Sequence, residues 1–297
     1  MKSFFRSILF LFAIMTVIML LLDFSFTKVY ENAPPRTKFQ YIRSLKDKKV
    51  DYLFLGSSRV ENAINPKLIE EKTGKSAANF AFQSSKLSDI YTVLQLVKAY
   101  NITTEKIFVQ VDYNFNVEEG YSNVFQYELM PFVRENEVTK EYFDRNFKTD
   151  RVMYYFPFYR YLKFETKIGF REFVLNVSKV KTRIVTNQGF EPLLGNAVDQ
   201  NYSLPSTTNS SNIYLEKINA FAKINNLTVF YFCAPFCQYS KNKVFIENLN
   251  HKIPNFYDFS NAIKENEKFL NCTHLNQDGA NLFTEMIIKK MLLNTPQ

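Results

Sequence analysis

Histidine is scarce in this chain, with two among 297 residues, and the three cysteines are Cys233, Cys237 and Cys272. So few imidazoles and thiols exclude a disulfide framework and leave too little for a zinc site, so no metal or organic cofactor is implied. One disulfide, Cys272 with Cys233 or with Cys237, and buried free thiols are both open readings. Glycine is equally thin, at 7 residues, so each glycine in a motif carries more information than usual. Tryptophan is absent altogether and carries no functional reading. The net charge of +8 is spread among acidic residues, with only short basic pieces such as Lys46-Asp47-Lys48-Lys49. That pattern excludes a nucleic-acid footprint and suits anionic glycans or lipid head groups. What the chain has in quantity is aromatic: 31 Phe and 18 Tyr in a composition 46% apolar, which is globular and long enough for a sizeable core.

The amino terminus is the one long apolar run. No charge occurs between Arg6 and Asp23, and at 1.5 Å per residue those about 16 residues cover ~24 Å, slightly short of the hydrocarbon core. Phe24 and Phe26 extend the run, and Lys2 and Arg6 can snorkel at its inner end. A cleaved signal peptide is the alternative, but the run is long for that role and no A-x-A-like site follows. Residues 1–28 are therefore expected to be an uncleaved signal anchor crossing the membrane once. Lys2 and Arg6 place the amino terminus in the cytoplasm and the main domain in the periplasm or outside the cell. Residues 29–49, with Pro34-Pro35, read as a linker containing a short helix near 37–45.

From Val50 the chain alternates. Val50–Leu55 reads as a buried strand running into Gly56-Ser57-Ser58. Asn65-Pro66 opens a helix that stops at Gly74, and 76–82 reads as a second strand. Leu87, Ile90, Tyr91, Leu94 and Val97 recur at helical spacing across 85–100, and 106–111 is a third strand. The order predicts a parallel sheet with helices on both faces. Residues 116–211 break this rhythm and read as a helical insertion, whose cluster from Met153 to Tyr161 is either its own core or a lid or sugar-stacking surface. Alternation then resumes: helix 212–225, strand 227–233, helix 241–249, strand 256–259 and a last helix 277–292. The expected fold is α/β, a three-layer α/β/α domain over 50–297 with about five mostly parallel strands.

A serine hydroxyl left at the carboxyl edge of such a sheet is where chemistry collects, but it needs a base. His251 lies in a polar turn and reads as solvated, so His274 is the candidate base and Ser58 the candidate nucleophile. Arg59 has two uses open, holding an anionic substrate group or pairing with a nearby carboxylate.

Gly56-Ser57-Ser58 after the first strand, with Thr273-His274-Leu275-Asn276 and Gly279 before the last helix, resembles the SGNH (GDSL-like) hydrolase superfamily. The nearer resemblance is to its single-pass envelope branch, similar to proteins of teichoic-acid D-alanylation and alginate O-acetylation. It covers roughly 50–114 and 211–293. The resemblance implies Ser58 as nucleophile, His274 as general base, and oxyanion-hole or substrate-binding roles at Ser84, where glycine is usual, and Asn114. It also exposes a departure: Asn271 stands where the family has the triad aspartate. The implied activity is an esterase or O-acyltransferase on a cell-surface polysaccharide or glycan, working through a Ser58 acyl-enzyme with a membrane-bound acyl-transfer partner. Asn271 keeps three outcomes open: a weakened Ser-His-Asn enzyme, a dyad helped by another carboxylate such as Asp258, or an inactive fold serving as a glycan-binding or scaffolding partner.

Overall fold

The computed structural model describes residues 1–147, 150, 154–197 and 202–293. Helix α1 (Lys2–Asn32) is followed by α2 (Lys38–Ser44), β1 (Tyr52–Leu55), α3 (Ser58–Glu61), α4 (Pro66–Thr73), β2 (Ala77–Asn79), α5 (Leu87–Ala99) and β3 (Lys106–Gln110). The insertion contributes α6 (Asn123–Leu129), α7 (Glu137–Asn146), α8 (Tyr159–Lys163), α9 (Glu165–Ile168) and α10 (Phe170–Val177). The chain re-enters the sheet through α11 (Ile213–Ile224), β4 (Val229–Cys233), α12 (Val244–Lys252) and β5 (Phe256–Asp258). It ends in the short strands β6 (Phe269–Asn271) and β7 (His274–Leu275) and helix α13 (Gln277–Ile287).

The five main strands form one parallel sheet in the order β2-β1-β3-β4-β5. Period-two alternation sends successive side chains of each strand to opposite faces. On one face Leu53, Leu55, Ile107, Val109 and Tyr231 pack under α5, α11 and α12. On the other, Tyr52, Phe54, Phe108 and Phe232 pack under α4 and α13. Phe54 and Phe108 stack there with ring centroids 4.9 Å apart. With both faces covered, β1 reads as an unbroken buried run, as parallel strands do. β2 is shorter than 76–82, yet Phe80 and Phe82 still donate to the carbonyls of Phe54 and Gly56 and carry the pairing to the sheet edge.

Three features refine the sequence reading. First, α1 does not stop at residue 28. It runs on to Asn32, and Asp23, Phe26 and Tyr30 form a buried stripe against the insertion. Second, the linker 29–49 carries its short helix, as α2, packed against the domain. Thr37 and Gln40 form a capping box at the start of α2, and Phe39 and Ile42 are fully buried. Lys38 of α2 reaches Glu61 at 2.6 Å, so the segment leaving α1 is tied to the helix carrying Ser58. Third, α12 continues to Lys252 and puts His251 on its exposed last turn rather than in a loop. In the aromatic cluster of the insertion, Tyr154 and Tyr161 are buried core and Phe156 is exposed; Met153 lies outside the described residues.

Candidate functional site

The site starts from a glycine. A Cβ on Gly56 would run into the Val60 and Gln110 side chains, so only glycine lets β1 turn sharply into α3. Gln110, at the end of the neighbouring strand, then holds the turn: its Oε1 accepts from the Ser57 N–H at 2.9 Å and the Ser57 hydroxyl at 3.0 Å. Ser57 caps α3. Ser58 becomes the first residue of that helix, half-buried at the carboxyl edge of the sheet. Its N–H belongs to the helix's first turn, which has no intrahelical acceptor.

The second half arrives from 216 residues away. Ser58 Oγ lies 2.8 Å from His274 Nε2. His274 sits at the start of β7, opposite Asn271 of β6, not in an open loop. Two devices fix that hairpin. A Cβ on Gly279 would strike the Lys268 carbonyl oxygen, so glycine lets α13 close onto the segment leading into β6. A disulfide joins Cys237, just after β4, to Cys272, and the Cys237 N–H also donates to the Cys272 carbonyl at 3.1 Å. Cys233 is the remaining thiol, buried in the core.

Asn271 Oδ1 accepts from the backbone N–H groups of Thr273 and His274, both at 3.0 Å, which settles which end of the amide faces them. The Thr273 hydroxyl donates to the same oxygen at 2.9 Å. His274 Nδ1 lies 3.0 Å from that oxygen and 2.9 Å from Thr273 Oγ1. With only acceptors around it, Nδ1 carries the proton and Nε2 is left as the lone-pair nitrogen facing Ser58. Four donors therefore converge on one amide oxygen, an arrangement suited to a carboxylate. Burial, and then the positive charge of Arg59, push the His274 pKa down to about 4, so the ring is neutral near pH 7. Asp258 does not serve the imidazole: its carboxylate accepts from the Ser260 N–H at 2.7 Å, and the far ring nitrogen is already occupied by Asn271 and Thr273.

Arg59 points inward. Its Nε lies 2.7 Å from Asp112 Oδ2, both side chains being almost fully buried. Its other nitrogens donate to the carbonyls of Thr273 at 2.6 Å, Ala234 at 2.6 Å and Pro235 at 3.1 Å, and the guanidinium lies over the Phe236 ring. Of its two possible uses, the structure shows the carboxylate pair; no face is left for a substrate anion, and the residue positions the His274 hairpin instead. Asp112 also receives the Gln110 amide and the Asn114 N–H.

Asn114 is buried just beyond β3. Its Oδ1 accepts from the Asp112 N–H, and its Nδ2 has no hydrogen-bond partner among the described residues. Ser84 adopts the left-handed backbone, φ 60°, which explains why glycine suits that position. It lies exposed on a turn and makes no hydrogen bond to Ser58 or His274 among the described residues.

Thr273, Gln110 and Asp112 escaped the sequence reading. Thr273 sits inside the His274 motif, Gln110 ends the strand beside β1 and Asp112 lies two residues beyond it, so adjacency is the available signal. Asn79, at the end of β2, is a further prop: its amide donates to the Val60 and Ile64 carbonyls behind α3 at 2.8 and 3.0 Å. Compared with known proteins, the chain matches no family model and no curated sequence, so what it belongs to is stated by its architecture: an α/β fold with a five-strand parallel sheet and an apolar amino-terminal helix.

Proposed function

We propose that this is an envelope-anchored, SGNH-like serine esterase or O-acyltransferase acting on a surface glycan. The observation that carries the reading is the relay Ser58 Oγ, His274 Nε2, His274 Nδ1, Asn271 Oδ1, with steps of 2.8 Å and 3.0 Å at its two ends. In such a site Ser58 attacks an ester carbonyl while His274 Nε2 takes its proton, and the imidazolium returns that proton to the departing alcohol. The acyl group stays on Ser58 until water or a sugar hydroxyl, deprotonated by the same nitrogen, removes it. The Ser58 N–H, in the first turn of α3, is the donor this reading assigns to the oxyanion, with Asn114 Nδ2, unsatisfied among the described residues, as the second. The apolar α1 and the disulfide fit a secreted or membrane-anchored protein, which is where surface glycans are modified.

Asn271 sets the strength of the base. An amide orients the imidazole but brings no charge to the imidazolium, and the equivalent loss costs about 10⁴ in turnover in a serine protease. The low pKa of His274 acts in the same direction. These two facts favour one second reading, a catalytically impaired member of the same fold that binds glycan or scaffolds an envelope polysaccharide system. The test is covalent. Purified full-length protein should label with a serine-directed fluorophosphonate, and Ser58→Ala and His274→Ala should each abolish labelling and ester turnover while circular dichroism stays unchanged. Wild-type protein that neither labels nor turns over esters would leave only the binding reading.

A further inference from the structure

The foot of α1 carries a second feature, unrelated to Ser58. Side chains of α1 up to Leu22 are exposed, apart from the half-buried Thr16 and Met19, and the uncharged stretch ends at Leu22. One turn later Phe26 is buried, stacked on Phe173 of α10 with centroids 4.2 Å apart and edge-on to Phe158 at 4.9 Å. α10 is thereby fixed to the helix by its inner side. Its outer side presents Phe170, Val174 and Val177, spaced i, i+4, i+7, and Phe170 is 68% exposed. Phe170 and Leu162 share with Leu22, Ser25 and Phe26 an apolar groove of about 380 Å³ at the level where the uncharged stretch ends. Around it, residues 156–183 carry six exposed Lys or Arg against two Glu, Arg160 being buried against Asp23.

We propose that α8–α10 form an interfacial collar whose apolar rim enters the domain-side leaflet around the exit of α1, with anionic phospholipid head groups as its ligand. Three observations select lipid over another occupant. The groove is continuous with the outward face of α1 through Leu22. The outer face of α10 combines exposed apolar side chains with flanking bases, the composition of a helix lying in the head-group plane. Lys163, Lys167 and Arg171 have stems long enough to cover apolar surface while their charges meet phosphate. Because α1 docks by Asp23, Phe26 and Tyr30 rather than through a loose tether, the collar holds the Ser58 edge at one height and tilt above the bilayer. The inference rests on α1 spanning the membrane, as the envelope-anchored reading requires, but not on any chemistry at Ser58.

The absence of tryptophan makes the test direct. Full-length single-Trp variants Leu20→Trp in α1, Phe170→Trp in α10 and Val244→Trp in α12 are placed in nanodiscs of phosphatidylcholine with and without phosphatidylglycerol, and quenching by brominated lipid is read. All three positions are exposed, so each variant keeps the core. The expected result is strong quenching at 20, quenching at 170 several-fold above that at 244, and a further rise at 170 with phosphatidylglycerol. Quenching at 20 with position 170 no more quenched than 244 overturns the collar and points to a protein partner for that face. No quenching at 20 overturns the span and the collar with it. Turnover of a soluble ester by Phe170→Trp reports separately on Ser58.

Discussion

Two arginines, Arg59 and Arg160, are each 1% exposed, and each is paired with an aspartate. Arg59 meets Asp112 behind the candidate nucleophile and binds three carbonyls that belong to the His274 hairpin and the end of β4. Arg160 meets Asp23 at 2.9 Å and donates to Thr27 at 2.7 Å, where α1 enters the insertion. Asp23 has further partners, the Phe158 N–H at 2.8 Å and Arg134 at 3.8 Å. A buried ion pair adds little net stability over a well-packed apolar pair, but removing one partner strands the other. What such pairs supply is register. One aligns two chain ends into a serine–histidine contact, and the other aligns a helix against a domain.

The largest effect should come from breaking that symmetry. Arg59→Met leaves the buried Asp112 without a counter-charge and three carbonyls without their donor, and should destabilise the sheet domain by about 3–5 kcal/mol. Arg160→Met should fall at the low end of that range, because Asp23 keeps the Phe158 N–H and Arg134. Denaturant unfolding in detergent measures both, and hydrogen exchange should show the second loss confined to the last turns of α1 and to α8. The double change Arg59→Met with Asp112→Leu should recover the part of the loss that comes from the stranded carboxylate. The rest stays with the Gln110 and Asn114 donors and the three carbonyls left without partners. No recovery at all would show that the stranded charge is not the cause.

Next in size is the disulfide. The bond closes a 35-residue separation, and removing it by Cys237→Ala with Cys272→Ala should cost about 3–4 kcal/mol. Activity should fall further than stability predicts, because Cys272 lies between Asn271 and Thr273. Arg59 would still hold the Thr273 carbonyl, so loss of fluorophosphonate labelling should be partial, not complete.

The smallest expected change sharpens the site itself. Asn271→Asp puts a charge where four donors already converge. A carboxylate favours the imidazolium, so the His274 pKa should rise from about 4 towards the ordinary 6.5. The acid limb of the pH–rate profile should move up with it, and turnover should gain about tenfold or more, short of the ~10⁴ the reverse change costs a serine protease. In the wild type, folding stability should decline as pH falls from about 6.5 to about 4, because the unfolded chain binds a proton there and the folded chain does not, then level off below about 4 for this group. A binding module would show no rate to change.

Much of the sheet was legible because its signals are local. β1, β3 and β4 are short apolar runs, and α5 and α11 repeat apolar residues at helical spacing, so neighbours a few residues apart carry the pattern. The Gly56-Ser57-Ser58 turn was legible for the same reason. The packing of α1 was not. Asp23, Phe26 and Tyr30 look like the end of a span, and only α8 and α10, far along the chain, convert them into buried contacts. Arg59 was legible as charged but not as buried, since its partners lie on three separate elements.

The sequence by itself determined the alternation of strand and helix and the apolar amino-terminal run, because each depends on residues within a turn or a strand of one another, and it singled out Ser58 and His274 because the chain holds only one other histidine. Tertiary structure alone decided that Ser58 and His274, 216 residues apart, lie within hydrogen-bonding distance, and that Asn271 rather than Asp258 faces the far nitrogen. Those outcomes depend on how one hairpin is seated by a disulfide, a glycine and a buried ion pair, and no local pattern encodes a contact made by elements that meet only when the sheet is assembled.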